Sequence, residues 1–345
     1  MSHFVIKLGS EDVSQYCIRP HTVVNREISG RISTATLKFR ADVRDDGFRL
    51  DLSQLDIVPL DLDRPEPGGH QVILIEDGAA NVLFRGRIKS LKRTPYSPDY
   101  WEFDVAAQGI EADLERIQVD TTYTGTDRAI IQAAFASNPL GITTDNSTVA
   151  STLASVDFDA HGMGLKRLLD ELVSLTGCDW YIDHGTLALH WYLPVTASLP
   201  AAPFDISDTP DDVATFAARI DWAEEDWFSY ANSVTVKGAV STGGTRLSKT
   251  EALPGLTPEE TYGLTITDDA LTTQALVDAR AAYELETRST LAQEGSFEIE
   301  KDGLAPGQVI HVTIAARSID ADYQIRSVSI REEFAMSKLT YSVSF

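Results

Sequence analysis

Alternation of apolar and polar side chains marks both ends of this chain as β structure. Near the start, the segments HFVIKL and TATLKFRA alternate in this way. At the other end, Leu339, Tyr341, Val343 and Phe345 alternate with polar residues up to the last position. A period of two is the spacing of side chains on one face of a strand. The pattern therefore predicts a mainly β, α+β protein with a strand-rich unit at each end.

The middle of the chain has helical periodicity instead. Its clearest helix is GLKRLLDELVSLTG, with Gly177 at the position of a helix end and apolar residues at helical spacing: Leu165, Leu168, Leu169, Leu172 and Leu175. A shorter helix is predicted at GTDRAIIQAAFAS, with Thr124, Thr126 or Asp127 as its cap. A β-hairpin is predicted to follow, with CDWYID and TLALHWYL on either side of a turn at His184.

Changes of pattern near residues 116 and 200 divide the chain into three units. Residues 194–205 are rich in proline and alanine and are predicted to form a linker. Strand patterns then return, with one further helix predicted after Asp268 or Asp269. The segment 240–262 is predicted to be a loop insertion. The organisation is thus β in 1–116, α+β in 117–200 and β again in 201–345.

Positive charge is concentrated in the segment LFRGRIKSLKR, which contains five cations: Arg85, Arg87, Lys89, Lys92 and Arg93. Strand periodicity places Arg85, Arg87 and Lys89 on one face, and Glu102 and Asp104 share a face of the next strand. In a hairpin, the cationic face can meet the anionic one; a contact between subunits and a nucleic-acid site are the alternatives. The register stays open, because the six-residue turn TPYSPD allows either parity.

The overall charge argues against the nucleic-acid alternative. The chain has 345 residues, with 29 Lys and Arg against 52 Asp and Glu, for a net charge of −23. Binding to a DNA duplex needs clustered cations, because counterion release supplies most of the affinity. No apolar run approaches the roughly 20 residues that span a bilayer, and the first residues contain no apolar signal segment. We therefore expect no membrane partner.

Few residues suggest metal chemistry. The two cysteines, Cys17 and Cys178, lie far apart in sequence, so we expect neither a disulfide framework nor a zinc motif. Within the predicted hairpin, His184 and His190 lie close to Cys178 and Asp183. Their spacing matches no known ligand motif, so an ordinary hairpin is favoured over a metal site.

Catalytic motifs are equally scarce. The segment DWAEEDW, residues 221–227, clusters carboxylates between tryptophans, which can indicate a glycosidase cleft. An exposed acidic loop is the favoured interpretation, and a sugar-binding surface formed by Trp222, Trp227 and Phe228 is a third. The sequence contains no G-x-S-x-G and no P-loop. We expect no enzyme activity, no catalytic residues, no cofactor and no metal.

Several short motifs, taken in order, resemble the tail hub, or baseplate hub, proteins of bacteriophages. VLFRGRIKSL resembles the family's strand with F-x-G-x-I, and residues 113–116 resemble the D-x-L-x-R-like segment that follows it. Residues 232–238 are similar to N-x-V-x-V-x-G, and GLAPGQVIHV is similar to G-L-x-P-G-x-x-V. Each motif is weak alone, but their order covers nearly the whole chain. The spike hubs of type VI secretion and contractile injection systems share this core.

The resemblance implies an architecture. Residues 1–116 and 201–345 are each expected to form a β-barrel domain of the tube type, with the α+β insert 117–200 between them. Three chains would close a ring of six similar barrels, which adapts a sixfold tail tube to threefold symmetry. Under this hypothesis Arg85, Arg87, Lys89, Glu102 and Asp104 make contacts between strands or subunits.

The resemblance also implies a function. The chain is expected to be a structural protein of the virion, at the distal end of the tail, assembled in the host cytoplasm. Expected partners are two further copies of the chain, a tail tube or distal tail protein, a tip, spike or fibre protein, and the tape measure protein. DNA would pass without specific binding, so positions that face the channel are expected to be acidic or small. A carbohydrate- or receptor-binding module of the tail tip is the alternative, as is the hub of a secretion spike.

Overall fold

The structure is a computed structural model that describes residues 4–9, 11–18, 21–28, 30–42, 72–97, 100–153, 155–193, 199–209, 215–217, 220–223, 230–241, 243–269, 271–289, 294–333 and 338–345. Strands dominate both ends of the chain, two α-helices lie between them, and a third α-helix lies within the last part. The protein is therefore mainly β with an α+β middle, which confirms the predicted fold class.

The first part of the chain forms strands where apolar and polar residues alternate. In β1, for instance, Ile6 and Leu8 are buried while Val5 and Lys7 are half-buried. Its strands are β1 (Val5–Leu8), β2 (Glu11–Asp12), β3 (Val23–Glu27), β4 (Thr34–Asp42), β5 (Val72–Glu76), β6 (Val82–Ser97) and β7 (Tyr100–Gly109). A 3₁₀ segment, Ile110–Arg116, then leads into the middle of the chain.

The middle contains the two predicted helices and the predicted hairpin. Thr126 caps the first helix by accepting a hydrogen bond from the backbone N–H of Ala129, and Gly177 ends the second helix in the left-handed region at φ 71°. Its elements are β8 (Gln118–Val119), β9 (Thr122–Gly125), α1 (Asp127–Phe135), β10 (Val156–Asp159), β11 (Met163–Gly164), α2 (Leu165–Thr176), β12 (Asp179–Ile182) and β13 (Leu189–Tyr192).

Strands return in the last part, together with a helix that is capped by Thr273. Its elements are β14 (Ile206–Ser207), β15 (Thr215–Phe216), β16 (Ile220–Ala223), β17 (Ser233–Val240), β18 (Arg246–Ala252), β19 (Gly263–Thr267), α3 (Gln274–Arg288), β20 (Glu294–Ile299), β21 (Val309–Ile314), β22 (Ile319–Gln324), β23 (Ser327–Glu333) and β24 (Lys338–Ser344).

Among the described residues, a sheet of 11 strands joins the two ends of the chain. Its order is β16-β20-β24-β23-β3-β4-β7-β6-β5-β1-β2, so that β3 from the start of the chain pairs with β23 from its end. A four-stranded sheet, β15-β14-β21-β22, and a three-stranded sheet, β18-β17-β19, are separate from it. The ends are therefore continuous through backbone hydrogen bonds as well as similar in composition.

Two hydrophobic cores organise the described residues. The first core takes residues from the 11-stranded and four-stranded sheets and thus from both ends of the chain. The second core takes residues from 110–191 and from 231–281. Residues 231–281 were assigned to the C-terminal β unit from sequence, but they pack with the α+β insert.

Two segments differ from the sequence predictions. Residues 246–252 were predicted to lie in a loop, but they form β18, which pairs antiparallel with β17. The prediction was wrong because no residue of β18 is buried, so the strand lacks the apolar alternation that identifies strands in a sequence. Residues 94–97, predicted to belong to a turn, continue β6.

Candidate functional surface

The pairing of β3 with β23 brings the two ends of the chain together residue by residue. The strands are antiparallel, with Asn25 opposite Ser329 and Val24 opposite Ile330. Val24 and Ile330 are fully buried in the first core. Asn25 and Ser329 are half-buried and point to the other side of the sheet. We call this pairing of β3 with β23 the seam. It has one apolar side and one polar side.

The polar side continues across seven neighbouring strands. Pairing places the following residues side by side in a single row on β20, β24, β23, β3, β4, β7 and β6: Glu298, Ser342, Ser329, Asn25, Thr34, Gln108 and Arg87. We call the side of the sheet that carries this row the open face. The five central members are uncharged hydroxyl or amide side chains, and charges stand only at the two ends of the row.

Hydrogen bonds between side chains organise this face. Ser342 donates from Oγ to Oε1 of Glu298 at 3.0 Å, and the Oγ atoms of Ser327 and Ser344 lie 2.6 Å apart. Short hydroxyl side chains keep donors and acceptors close to the backbone and leave the surface hydrated. The central row of the open face is therefore polar and without charge.

The two cations of β4 share one carboxylate across the sheet. Glu102 on β7 lies 2.8 Å from Nζ of Lys38 and 2.7 Å from a guanidinium nitrogen of Arg40. These hydrogen bonds, from Arg40 first and then Lys38, lower the pKa of Glu102. The bond to Glu102 raises the pKa of Lys38. Each charge stabilises the ionised form of its partner.

The predicted ionic residues take different partners from those expected within one hairpin. Strands β6 and β7 do pair, but the register places Arg87 opposite Gln108, and the side chain of Arg87 binds Asp113 at 2.5 Å. The register shifts between Ile88 and Ser90, which leaves Lys89 as the extra residue of a bulge. After the bulge, each later side chain of β6 points to the side of the sheet opposite to the one that simple alternation predicts. Alternation in the sequence alone does not reveal this change.

The carboxylates of the predicted set lie further along β7. Asp104 stands between Lys38 on one side and Lys92 on the other, while Glu102 lies opposite Arg40 and Thr94. Lys38 and Arg40 were not predicted as site residues, although they alternate with buried residues in TATLKFRA. A contact of Arg85, Arg87 or Lys89 with another subunit stays a prediction.

A buried histidine connects the first strands with the α+β insert. Nδ1 of His184 accepts a hydrogen bond from the backbone N–H of Arg85 at 2.8 Å, so the proton of the neutral ring lies on Nε2. That nitrogen donates to Oε1 of Glu111 at 2.8 Å, and Ser33 donates to the same oxygen at 3.0 Å. Burial acts to raise the pKa of Glu111, but its interactions with His184 and Ser33 outweigh burial and lower it.

The residues of the alternative metal site have other roles. Both ring nitrogens of His184 are already bonded, and the ring of His190 stacks on Tyr181 with centroids 4.6 Å apart. Burial raises the pKa of the Cys178 thiol to about 11, which disfavours the thiolate that metals bind. Across the described ranges, no three His, Cys, Asp or Glu side chains converge in a way that would hold a metal ion.

The acidic segment 221–227 is only partly described. Trp222 packs against Tyr323 and Phe345, with ring centroids 5.5 and 6.0 Å apart, and is half-buried. Glu224, Glu225, Trp227 and Phe228 lie outside the described residues, so the favoured acidic loop and its two alternatives, a glycosidase cleft and a sugar-binding surface, all stay hypotheses. In the part of the chain that the structure covers, no helix is both long and apolar enough to span a membrane.

Solved structures that share this fold include phage tail and secretion proteins. A tail protein from Neisseria meningitidis is 14% identical, with a TM-score of 0.68, covering 99% of this chain and 95% of that one. The 43 kDa tail protein of prophage MuSo2 from Shewanella oneidensis is 15% identical, with a TM-score of 0.67, covering 99% and 97%. A type VI secretion component from E. coli, itself structurally similar to the phage T4 tail proteins gp27 and gp5, is 11% identical, with a TM-score of 0.50, covering 99% and 73%.

Comparison of sequences gives no further relative. No family model matches the chain, and no curated protein matches it. The structural likeness spans nearly the full length of the two tail proteins, so the whole of this chain corresponds to their fold. The resemblance to phage tail proteins that the sequence motifs indicated is confirmed, while closure of each end into a barrel stays a prediction.

Proposed function

We propose that this chain is a structural tail hub protein of a bacteriophage. In this proposal, three copies form a ring at the distal end of the tail tube, and each copy contributes two tube-like β units. The pairing of β3 with β23 supports it, because the two ends of one chain share a single sheet of 11 strands. A shared sheet holds the two units of one chain at a fixed angle, as closure of a ring by three copies requires.

The open face is the surface that we assign to the DNA channel. Its central row carries hydroxyl and amide groups rather than cations, so a phosphate backbone finds no fixed positive charge there to bind. Three of the five members of this row are short serine or threonine side chains. A channel lining must let DNA pass, and an uncharged polar row at its centre suits this purpose.

The remaining functions follow from the position in the tail. The protein is structural, not enzymatic, and belongs to the virion after assembly in the host cytoplasm. The two ends of the ring contact a tail tube or distal tail protein on one side and a tip, spike or fibre protein on the other. The tape measure protein and then DNA pass through the channel, and no membrane partner is needed.

Electron microscopy of the purified protein tests the ring directly. We expect particles of three chains with a central hole, and a mass three times that of one chain. To locate the open face, Ser342→Cys is labelled with a gold–maleimide in a Cys17→Ser background, with Ser248→Cys on the exposed strand β18 as the matched control. Gold at Ser342→Cys should line the hole, while gold at Ser248→Cys should lie away from it. A monomer, or label from Ser342→Cys on the outer rim, contradicts the proposal.

A hub of a type VI or contractile injection spike is the second candidate. The likeness to the E. coli type VI component favours it, although the TM-score of 0.50 is lower than those of the tail proteins. Both candidates form a ring, but only a phage tail is attached to a capsid filled with DNA. Micrographs of native particles that contain this chain therefore separate the two candidates.

A further inference from the structure

We propose that Glu102, Asp104 and Glu298 mask the cations of the open face, so that duplex DNA meets lysine and arginine side chains whose charge is largely offset by carboxylates. This inference rests on the proposed function, in which the open face lines the channel. It assigns to three carboxylates a role beyond holding strands together, namely to prevent the binding of a polyphosphate.

Glu102 lies where masking is needed most. Its side chain is only 11% exposed, whereas those of Lys38 and Arg40 are 29% and 40% exposed. The two cations therefore reach the surface while the carboxylate that both of them bind lies beneath. Removal of that carboxylate takes away the anion that both cations share and makes a phosphate at the surface a better partner for them.

Asp104 and Glu298 extend the same arrangement. Asp104 is exposed and stands between Lys38 and Lys92 in the register of the sheet. On the other side of the seam, Glu298 binds a guanidinium nitrogen of Arg331 through both oxygens, at 3.0 and 3.2 Å. Cations on both sides of the seam are thus accompanied by carboxylates.

A count of charges shows how small a change would expose these cations. Lys38, Arg40 and Lys92 carry three positive charges against the two negative charges of Glu102 and Asp104, a local sum of +1. Neutral substitutes for both carboxylates raise the sum to +3. Counterion release makes each new phosphate contact favourable at low salt, so a surface of this kind acquires salt-sensitive affinity for DNA.

The test measures duplex DNA binding by the full chain. The variant combines Glu102→Gln, Asp104→Asn and Glu298→Gln, and a labelled duplex of about 30 base pairs reports binding by fluorescence anisotropy. We expect no binding by the unaltered protein at about 10 µM, and clear binding by the variant at about 50 mM salt. Three new phosphate contacts predict about 40-fold weaker binding at about 200 mM salt, from a slope of about −0.9 per contact.

A matched control separates masking from net charge. Glu251→Gln, Glu259→Gln and Glu286→Gln remove the same charge elsewhere, and the first of these also releases Lys249 from an ion pair of 3.1 Å. The control should not bind DNA. Adding Lys38→Ser and Arg40→Ser to the first variant should abolish most of the binding it gained.

Three results would overturn masking: equal binding by the control, no gain in the first variant, or tight binding by the unaltered protein. If the triple variant fails to fold, Asp104→Asn with Glu298→Gln carries the test, because both side chains are exposed and neither supports the core. The ring itself is judged by microscopy, so a ring without masking and a protein without a ring give different outcomes.

Discussion

His184 accepts a hydrogen bond at Nδ1 from the backbone N–H of Arg85, although the two residues lie in different units of the fold. The imidazole then donates from Nε2 to Glu111, and both His184 and Glu111 are almost completely buried. One ring therefore satisfies a backbone donor of strand β6 and one oxygen of a buried carboxylate in the 3₁₀ segment. Buried polar groups of this kind fix the relative position of the elements that supply them.

Replacing His184 by alanine should destabilise the protein strongly. The change leaves the N–H of Arg85 unpaired and leaves Glu111 with Ser33 as the remaining side-chain donor to its carboxylate. Each unsatisfied buried group costs about 1–3 kcal/mol, so we expect a loss of about 2–4 kcal/mol in the free energy of unfolding. Urea denaturation followed by circular dichroism measures the loss.

The control for His184 is His161, which contacts Asp120 at 2.7 Å on the surface. Exposed pairs contribute about 0–1 kcal/mol, so His161→Ala should change the free energy of unfolding little. Equal effects of the two substitutions would show that the buried position of His184 does not matter.

Gly177 at the end of α2 should tolerate no side chain. Its φ of 71° is left-handed, and an added Cβ would collide with the ring of Tyr283 on α3. We expect Gly177→Ala to cost about 2–4 kcal/mol, from backbone strain of about 1 kcal/mol plus overpacking of about 1–3 kcal/mol. Thermal unfolding checks the value.

Gly141 provides the matched comparison for Gly177. Its φ is 70°, but nothing lies within 4 Å of an added Cβ, so Gly141→Ala should cost only the strain of about 1 kcal/mol. If both variants lose the same stability, contact with Tyr283 contributes nothing.

Elements that bury one face of their own could be predicted from the sequence, whereas elements that depend on distant partners could not. The leucines of α2 and the alternation in β12 were sufficient to predict those elements, because each has one buried face. Strand β18 was missed because its stability comes from pairing with β17 and from α3 rather than from its own burial. The sequence pattern identifies β17 as a strand, but it does not show that residues 246–252 pair with it.

The candidate surface was less predictable than the elements. Arg87 and Glu102 were identified by charge and parity, yet the bulge at Lys89 and the pairing of β4 with β7 decide their actual partners. The central row depends on the seam between β3 and β23, which joins opposite ends of the chain. Alternation identifies the residues of each strand but does not specify which strand lies beside which.

His311 should make stability depend on pH. Its Nδ1 lies 2.8 Å from Asp322 and its Nε2 lies 2.9 Å from Asp320, and the bond to Asp322 raises the pKa of His311 above its ordinary value of 6.5. A raised folded-state pKa adds stability that is fully present below the unfolded pKa and is lost as the pH rises through the folded pKa. Because 38% of the side chain is exposed, solvent screens the pair and we expect less than about 1 kcal/mol.

Unfolding of His311→Gln at about pH 5.5 and about pH 9 measures this contribution. The variant should be less stable than the unaltered protein at the lower pH, and the difference should shrink at the higher pH. The stability contributed by His190 should change with pH in the opposite direction. Burial lowers the pKa of His190, so its contribution to stability is lost as the pH falls. A difference for His311→Gln that grows with pH would refute the assignment.

The seam between the two ends of the chain gives the last prediction. Ile330 on β23 lies opposite Val24 on β3, and both are fully buried, so Ile330→Ala should cost about 2–5 kcal/mol through the cavity it leaves. Leu189→Ala, at an equally buried position in the insert, should cost a similar amount. Only the seam variant should increase hydrogen exchange at the amides of β3 and lower the fraction of ring particles in micrographs, because only that cavity loosens the pairing that fixes the angle between the two β units. Equal loss of rings in both variants would mean that ring formation depends on overall stability and not on the seam.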